Sequence, residues 1–191
     1  SLALPDCGLD PRAAAGLVDL HSPLETIVRS VLGGPDAPAG QADAVVTAYG
    51  RRLARSGYER SAPYPGVAQF LWDALRRGQR LAVCTNKRHA EALRMLVHFG
   101  LMKFFGPVVG ADSAEHPKPH PAPLDRVLGA LRADPAEAVL IGDTHVDAQC
   151  ARNAGVDFVW HRRGYGQVKG LPMAGSFERY GELLGQGASC A

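Results

Sequence analysis

Ala138-Val139-Leu140-Ile141-Gly142-Asp143-Thr144-His145-Val146-Asp147 is the stretch whose reading decides the fold. Its first part is an apolar run long enough for a buried parallel strand and too short for a helix. A helix is predicted over Val146 to Asn153, stopped by Ala154-Gly155. The turn between strand and helix carries Asp143, and the first turn of the helix carries Asp147, so two carboxylates sit at the carboxyl end of one strand.

Working outward, the same strand-then-helix pattern recurs. Pro65-Gly66 opens a helix whose apolar positions Val67, Phe70, Leu71, Ala74 and Leu75 share a face, and Arg77-Gly78 ends it. Strands are predicted at Leu81-Ala82-Val83-Cys84, Pro107-Val108-Val109-Gly110 and, as the last clear one, Asp157-Phe158-Val159-Trp160. Helices fall between them, from about Lys87 to Phe99 and from Pro123 to near Leu131. A glycine-rich turn, Gly164-Tyr165-Gly166, and a short helix around Phe177 to Leu184 complete this half. Alternating strands and helices imply an α/β fold with a parallel sheet and crossover helices. Before Tyr64 the pattern is helical only. Leu24, Ile27, Val28, Val31 and Leu32 have helical spacing, the stretch Gly33 to Gly40 breaks it, and a second helix is predicted from Asp43 to Ser56. The expected organisation is a helical segment over residues 1–60 and an α/β core over 61–187.

Composition narrows the class. The chain has 191 residues, 46% of them hydrophobic and 21% charged, in the range of a globular domain with a full core. A formal charge of +2 argues for no nucleic acid and no anionic membrane as partner. Neither a long apolar run nor a signal-peptide pattern is present, so a cytoplasmic location is expected. Cys7, Cys84, Cys150 and Cys190 form no C-x-x-C pair, and two lie in apolar segments, which favours reduced thiols packed as small hydrophobes.

Ligands of open parallel sheets bind beyond the carboxyl ends of the strands. Those positions hold Thr85-Asn86-Lys87, Lys118-Pro119-His120-Pro121 after a short loop, and Gly142-Asp143-Thr144-His145-Val146-Asp147. A hydroxyl, an amine and two carboxylates on one rim are what metal-assisted phosphoryl transfer requires. Thr85 and Asn86 are candidates to bind phosphate oxygens, and Lys118 to neutralise them. Asp143 and Asp147 are candidate Mg²⁺ ligands, directly or through water. Singly, each has a plainer reading: a threonine after a strand is an N-cap, and a lone lysine is a solvated charge.

Together, Val83-Cys84-Thr85-Asn86-Lys87, Lys118-Pro119-His120-Pro121-Ala122-Pro123 and Gly142-Asp143-Thr144-His145-Val146-Asp147 resemble the second, third and fourth motifs of the haloacid dehalogenase superfamily. Ala151-Arg152-Asn153-Ala154-Gly155-Val156 and Gly164-Tyr165-Gly166 resemble its phosphoglycolate phosphatase branch. The resemblance implies a Rossmann-like, three-layer α/β/α core with a helical cap, of which residues 1–60 look like an incomplete version. It also implies Mg²⁺-dependent hydrolysis of a small phosphorylated metabolite through an aspartyl-phosphate, with Thr85 and Lys118 in catalytic roles. His21, Arg51, Arg52 and Arg55 of the cap are read as solvated rather than pocket-facing.

Members of that superfamily begin with an apolar strand followed by Asp-x-Asp, and no such segment occurs here. Asp6 and Asp10 have the wrong spacing and no strand before them. The chain is therefore expected to be inactive as it stands. Truncation and deletion both fit Ser1-Leu2, which resemble the residues just after the first motif in relatives. The alternative function is a non-catalytic relative that binds phosphate and Mg²⁺ as a sensor or partner-binding module. The strands at 81–84 and 138–141 are expected to pair directly or to receive another chain, as in a homodimer, because an empty slot would leave apolar edges unpaired.

Overall fold

The computed structural model describes residues 24–32, 39–55, 58 and 61–184. The expectations at Ser1, Leu2, Asp6, Cys7, Asp10, His21, residues 33–38, Ser56 and Cys190 lie outside the described residues. The chain divides into two compact units, residues 1–62 and 63–191. No helix among the described residues is long and apolar enough to cross a membrane.

In the first unit, α1 (Leu24–Val31) and α2 (Ala39–Arg55) pack through Val28, Ala42, Val45 and Val46, with Leu24 and Leu32 beside them. Helix α2 starts before the expected Asp43. Ala42 has no exposed surface, and its burial against α1 rewards extending the helix by one turn. An Arg29–Glu25 pair at 3.2 Å lies one turn apart on α1. Arg51, Arg52 and Arg55 are exposed.

The second unit alternates helices and strands: α3 (Val67–Arg76), β1 (Val83–Cys84), α4 (His89–His98), β2 (Val108–Val109), α5 (Ala122–Leu131), β3 (Val139–Gly142), α6 (His145–Ala154), β4 (Asp157–His161) and β5 (Gly175–Phe177). Every strand pair is parallel, which fulfils the α/β expectation. Short strands between longer helices suffice because the helices cover them. Val109, Leu124, Val127, Leu128, Cys150 and Val156 form one core cluster, and Cys84 of β1 and Leu140 of β3 both pack against it. A second cluster, Ala148, Ala151, Phe158 and Val168, fills the space between α6 and β4.

One arm of one expectation and the whole of another are corrected. Among the described residues the strands around 81–84 and 138–141 do not pair directly: the sheet is in two pieces, β1-β2 and β3-β4-β5, which leaves the other arm, a further chain between them. Hydrogen bonds from Val83 N to Pro107 O (3.0 Å) and Thr85 N to Val109 O (2.9 Å) turn the odd-numbered peptide groups of β1 toward β2. Alternation along a strand then turns the Cys84 carbonyl the other way, to an edge that no described strand occupies. The second correction concerns the C-terminal region. In place of a helix from Phe177, strand β5 is followed by a short 3₁₀ turn at Tyr180–Leu183. Gly175-Ser176-Phe177 has no apolar run to announce a strand; it becomes one because β4 offers a free edge and Phe177 fills the core behind it. Phe177 is 1% exposed and stacks on His161 with ring centroids 4.9 Å apart.

Replacing Phe177 by alanine should destabilise the fold by about 3–5 kcal/mol in denaturant titrations, the usual cost of emptying a fully buried aromatic site. A loss below about 1 kcal/mol would mean that β5 is not part of the core.

Candidate active site

The site is built where β1 and β3 end. The β1 strand delivers Thr85 and Asn86, and the loop before α5 delivers Lys118. The turn between β3 and α6 delivers Asp143, and the first turn of α6 delivers Asp147.

Lys118 is the pivot. Its side chain is 7% exposed, and Nζ donates to Asp147 Oδ1 at 2.6 Å and to the Cys84 carbonyl at 2.9 Å. That carbonyl is the one turned toward the edge of β1 that no described strand occupies, so the lysine satisfies an acceptor that the described ladder leaves open. Burial alone would pull the Lys118 ammonium down. The Asp147 carboxylate, Cys84 and the short hydrogen bond outweigh it, and Lys118 is held above the ordinary lysine value. Burial would likewise raise Asp147, but Lys118 and the Thr144 hydrogen bonds keep it below the ordinary carboxylate value. The pair is therefore ionised.

The other face of Asp147 is spent on its own turn. Oδ2 accepts from Thr144 Oγ1 at 2.7 Å, Thr144 N at 3.1 Å and Asp143 N at 3.3 Å. Asp147 N in turn donates to Thr144 Oγ1 at 3.3 Å, closing a capping box at the start of α6. Asp147 is thus an anchor with both oxygens committed. Gly142 permits this approach, since a Cβ there would lie 2.5 Å from the Asp147 Cβ.

Asp143 is held from the opposite side. Tyr165 N donates to its Oδ2 at 2.7 Å, from the glycine-rich turn after β4. A side chain at Gly164 would overlap Asp143, and one at Gly166 would come 2.9 Å from the Asp143 carbonyl. The glycines are there because the turn backbone must touch the carboxylate.

Asn86 clamps the lysine loop. Its Nδ2 donates to Lys118 O and its Oδ1 accepts from Lys118 N, each at 3.0 Å. Thr85 Oγ1 accepts from Lys87 N at 3.1 Å. Helix α4 begins later, with Arg88 as N-cap, so Thr85 organises the loop and does not cap the helix. The structure thus joins Asn86, Lys118, Asp147 and Asp143 in one chain of hydrogen bonds, with Thr85 next to the carbonyl that Lys118 holds.

Sequence reading passed over Thr144, the Cys84 carbonyl and Tyr165 as parts of the site. Thr144 had a legible signal, since Thr144-His145-Val146-Asp147 has capping-box spacing. The other two act through backbone atoms, which side-chain identity does not reveal.

The ion pair predicts a stability window. Asp147 lies below 3.8, so its contribution is complete above that pH and is lost as pH falls through the lowered folded value. Lys118 lies above 10.5, so its contribution is complete below that pH and is lost as pH rises through the raised folded value. Asp147→Asn should cost about 3 kcal/mol near neutrality by leaving a buried ammonium without its counter-charge. It should also flatten the acid limb of a plot of stability against pH; an unchanged acid limb would show that Asp147 is not the titrating group.

Among known proteins, a family model described as haloacid dehalogenase-like hydrolase matches residues 20–161. The plasmid-encoded phosphoglycolate phosphatase of Cupriavidus necator is 35% identical over 179 residues, covering 85% of this chain and 78% of that protein. The phosphoglycolate phosphatase of Rhodobacter capsulatus is 37% identical over 124 residues, covering 64% of this chain and 56% of that protein. The chain spans about half the length of several curated relatives that it matches. The crystal structure of a predicted phosphoglycolate phosphatase from Haemophilus somnus superposes with a TM-score of 0.77 at 22% identity, covering 96% of this chain and 86% of that one, a likeness of fold. With the parallel sheet, the Lys118–Asp147 pair and the Asp143 turn already in view, these matches establish that the chain belongs to the haloacid dehalogenase-like hydrolase family.

Proposed function

We propose that the polypeptide to which this chain belongs is a Mg²⁺-dependent phosphomonoesterase acting on a small phosphorylated metabolite of the phosphoglycolate type. The observation that carries the reading is the buried, ionised Lys118–Asp147 pair at the rim where β1 and β3 end, with Thr85 and Asp143 beside it. Similarity to phosphoglycolate phosphatases supports the choice of substrate.

Each residue at the rim has its own task. Lys118 holds positive charge where the transferring phosphoryl group and its acceptor carboxylate carry negative charge. Thr85 keeps its own O–H to donate to a phosphate oxygen, and the N–H groups ahead of α4 lie beside it. Asn86 fixes the Lys118 loop. Asp147 keeps the lysine charged and in place.

No group of three or more His, Cys, Asp or Glu side chains that could hold a metal occurs among the described residues. Magnesium commonly keeps several waters and takes only one or two protein carboxylates, so the donor set fits such an ion. Asp143 would be its direct ligand, while Asp147, with both oxygens committed, would act through the turn that it organises. When bound, Mg²⁺ neutralises charge on the phosphoryl oxygens.

Asp147 is tied to Lys118 through Oδ1 and to its own turn through Oδ2, which suits an anchor rather than the attacking group. We assign the nucleophile to an aspartate outside the described residues, at the end of an apolar strand that would pair with the edges of β1 and β3 that no described strand occupies. In this reading residues 1–60 are part of a helical cap.

The test compares this chain with the product of its extended reading frame, on 2-phosphoglycolate and p-nitrophenyl phosphate with Mg²⁺. The extended protein should turn over phosphoglycolate, and Asp143→Asn or Lys118→Met should each lower kcat on the order of 10²-fold or more. Phosphate and Mg²⁺ binding without turnover in the extended protein would favour the sensor reading instead.

A further inference from the structure

The loop that carries Thr85 is held from a side that the mechanism does not use. Residues 85–88 run from the end of β1 to α4, and residues 110–113 follow the end of β2. These two loops are zipped together. Ala111 N donates to Lys87 O at 2.9 Å, and His89 N, the first N–H of α4, donates to Asp112 Oδ1 at 2.7 Å. The His89 ring adds a third tie, its Nδ1 donating to Val108 O at 3.1 Å. Gly110 lets the loops come this close, because a Cβ there would lie 2.3 Å from His89 N and 2.8 Å from Lys87 O. Ser113 braces the turn that presents Asp112: its Oγ accepts from Gly110 N and its own N donates to Gly110 O, each at 3.0 Å.

Asp112 does its part from the surface. Arg88 stands at the N-cap of α4, and its side chain makes no capping hydrogen bond. The acceptor comes instead from Asp112, 23 residues away along the chain, and a carboxylate suits the positive end of a helix. Since its side chain is exposed, Asp112 adds nothing to the core.

We propose that Asp112 is a positioning residue, which fixes the start of α4 and thereby sets the Thr85 hydroxyl for a phosphoryl oxygen. Lys87 is the link. Its carbonyl is held by Ala111 and the start of the helix just beyond it by Asp112, while its own N–H donates to Thr85 Oγ1 at 3.1 Å. With one lone pair of that oxygen taken by a fixed N–H, the Thr85 proton is left to donate elsewhere. Releasing the start of α4 lets Lys87 shift, and the hydroxyl loses its reference. A displacement of about 1 Å at a group that orients substrate can cost on the order of 10²-fold in rate. Asp112 itself touches neither substrate nor reacting atoms. Its effect on turnover rests on the phosphatase reading; the placement of the loop does not.

The experiment has two arms. In this chain, Asp112→Ala should speed amide exchange at His89 and Lys87 while leaving Thr144 in the β3–α6 turn unchanged. Asp112→Asn, which keeps an acceptor oxygen, should restore protection at both. Unaltered exchange at Lys87 in the alanine variant would overturn the proposal. In the extended protein, Asp112→Ala should lower kcat/KM for 2-phosphoglycolate on the order of 10-fold. Added to Thr85→Val, it should cost little more, because no hydroxyl is left to place. Independent, additive losses, or no rescue by Asn, would show a general contribution to folding and equally overturn it. Asp112→Glu, which keeps the charge but moves the oxygen, takes the place of the alanine variant if that does not fold. An extended protein without phosphatase activity sinks the phosphatase reading alone, since exchange at Lys87 still decides what Asp112 holds.

Discussion

A lysine ammonium buried between a strand carbonyl and a carboxylate is the constraint on which the rest of the second unit depends. Lys118 reaches Cys84 O of β1 and Asp147 of α6 at once, so it ties together two pieces of sheet that share no ladder. Such a group is tolerable in a protein interior only with its counter-charge present and its donors used. Asp147 meets that requirement because its second oxygen is saturated by its own turn, which leaves the carboxylate no freedom to swing away.

Around this pair the chain places its small residues where backbone must approach carboxylate. Gly142 admits Asp147, while Gly164 and Gly166 admit the turn whose amide binds Asp143. Asp143 accepts from the backbone N–H of Tyr165, and Asp147 accepts from the backbone N–H groups of Asp143 and Thr144 as well as from Lys118 and the Thr144 hydroxyl. Backbone donors lose little entropy on ordering and keep a carboxylate ionised without adding positive charge. The site is rigid on its Asp143–Asp147 side and, through Asn86, on its lysine side.

Among the described residues the sheet comes in two pieces. Cys84 and Leu140 pack on one core, so β1 and β3 are each covered on a face while each has one edge without a described strand. Open edges on apolar strands invite pairing with any extended segment of matching register. The rim chemistry and the open edges therefore pose one question, since whatever pairs there comes to lie beside Lys118.

Read without coordinates, the chain discloses its alternating elements, the helical character before Tyr64 and the rim residues Thr85, Asn86, Lys118, Asp143 and Asp147, because apolar runs, glycine stops and strand-end polarity are local properties. It discloses the start of α2 only to within a turn, since burial of Ala42 against α1 sets that boundary. Strand β5 was illegible because Gly175-Ser176-Phe177 becomes a strand only by lying against β4. The division of roles at the rim was equally hidden: Asp143 and Asp147 look alike in sequence, yet one accepts from a distant turn and the other is locked to a lysine and a threonine. Residue type and spacing determined which groups stand at the strand ends. Only the tertiary structure decided which of them are committed to each other, because hydrogen bonds across 22 or 29 residues of chain depend on packing and not on local propensity.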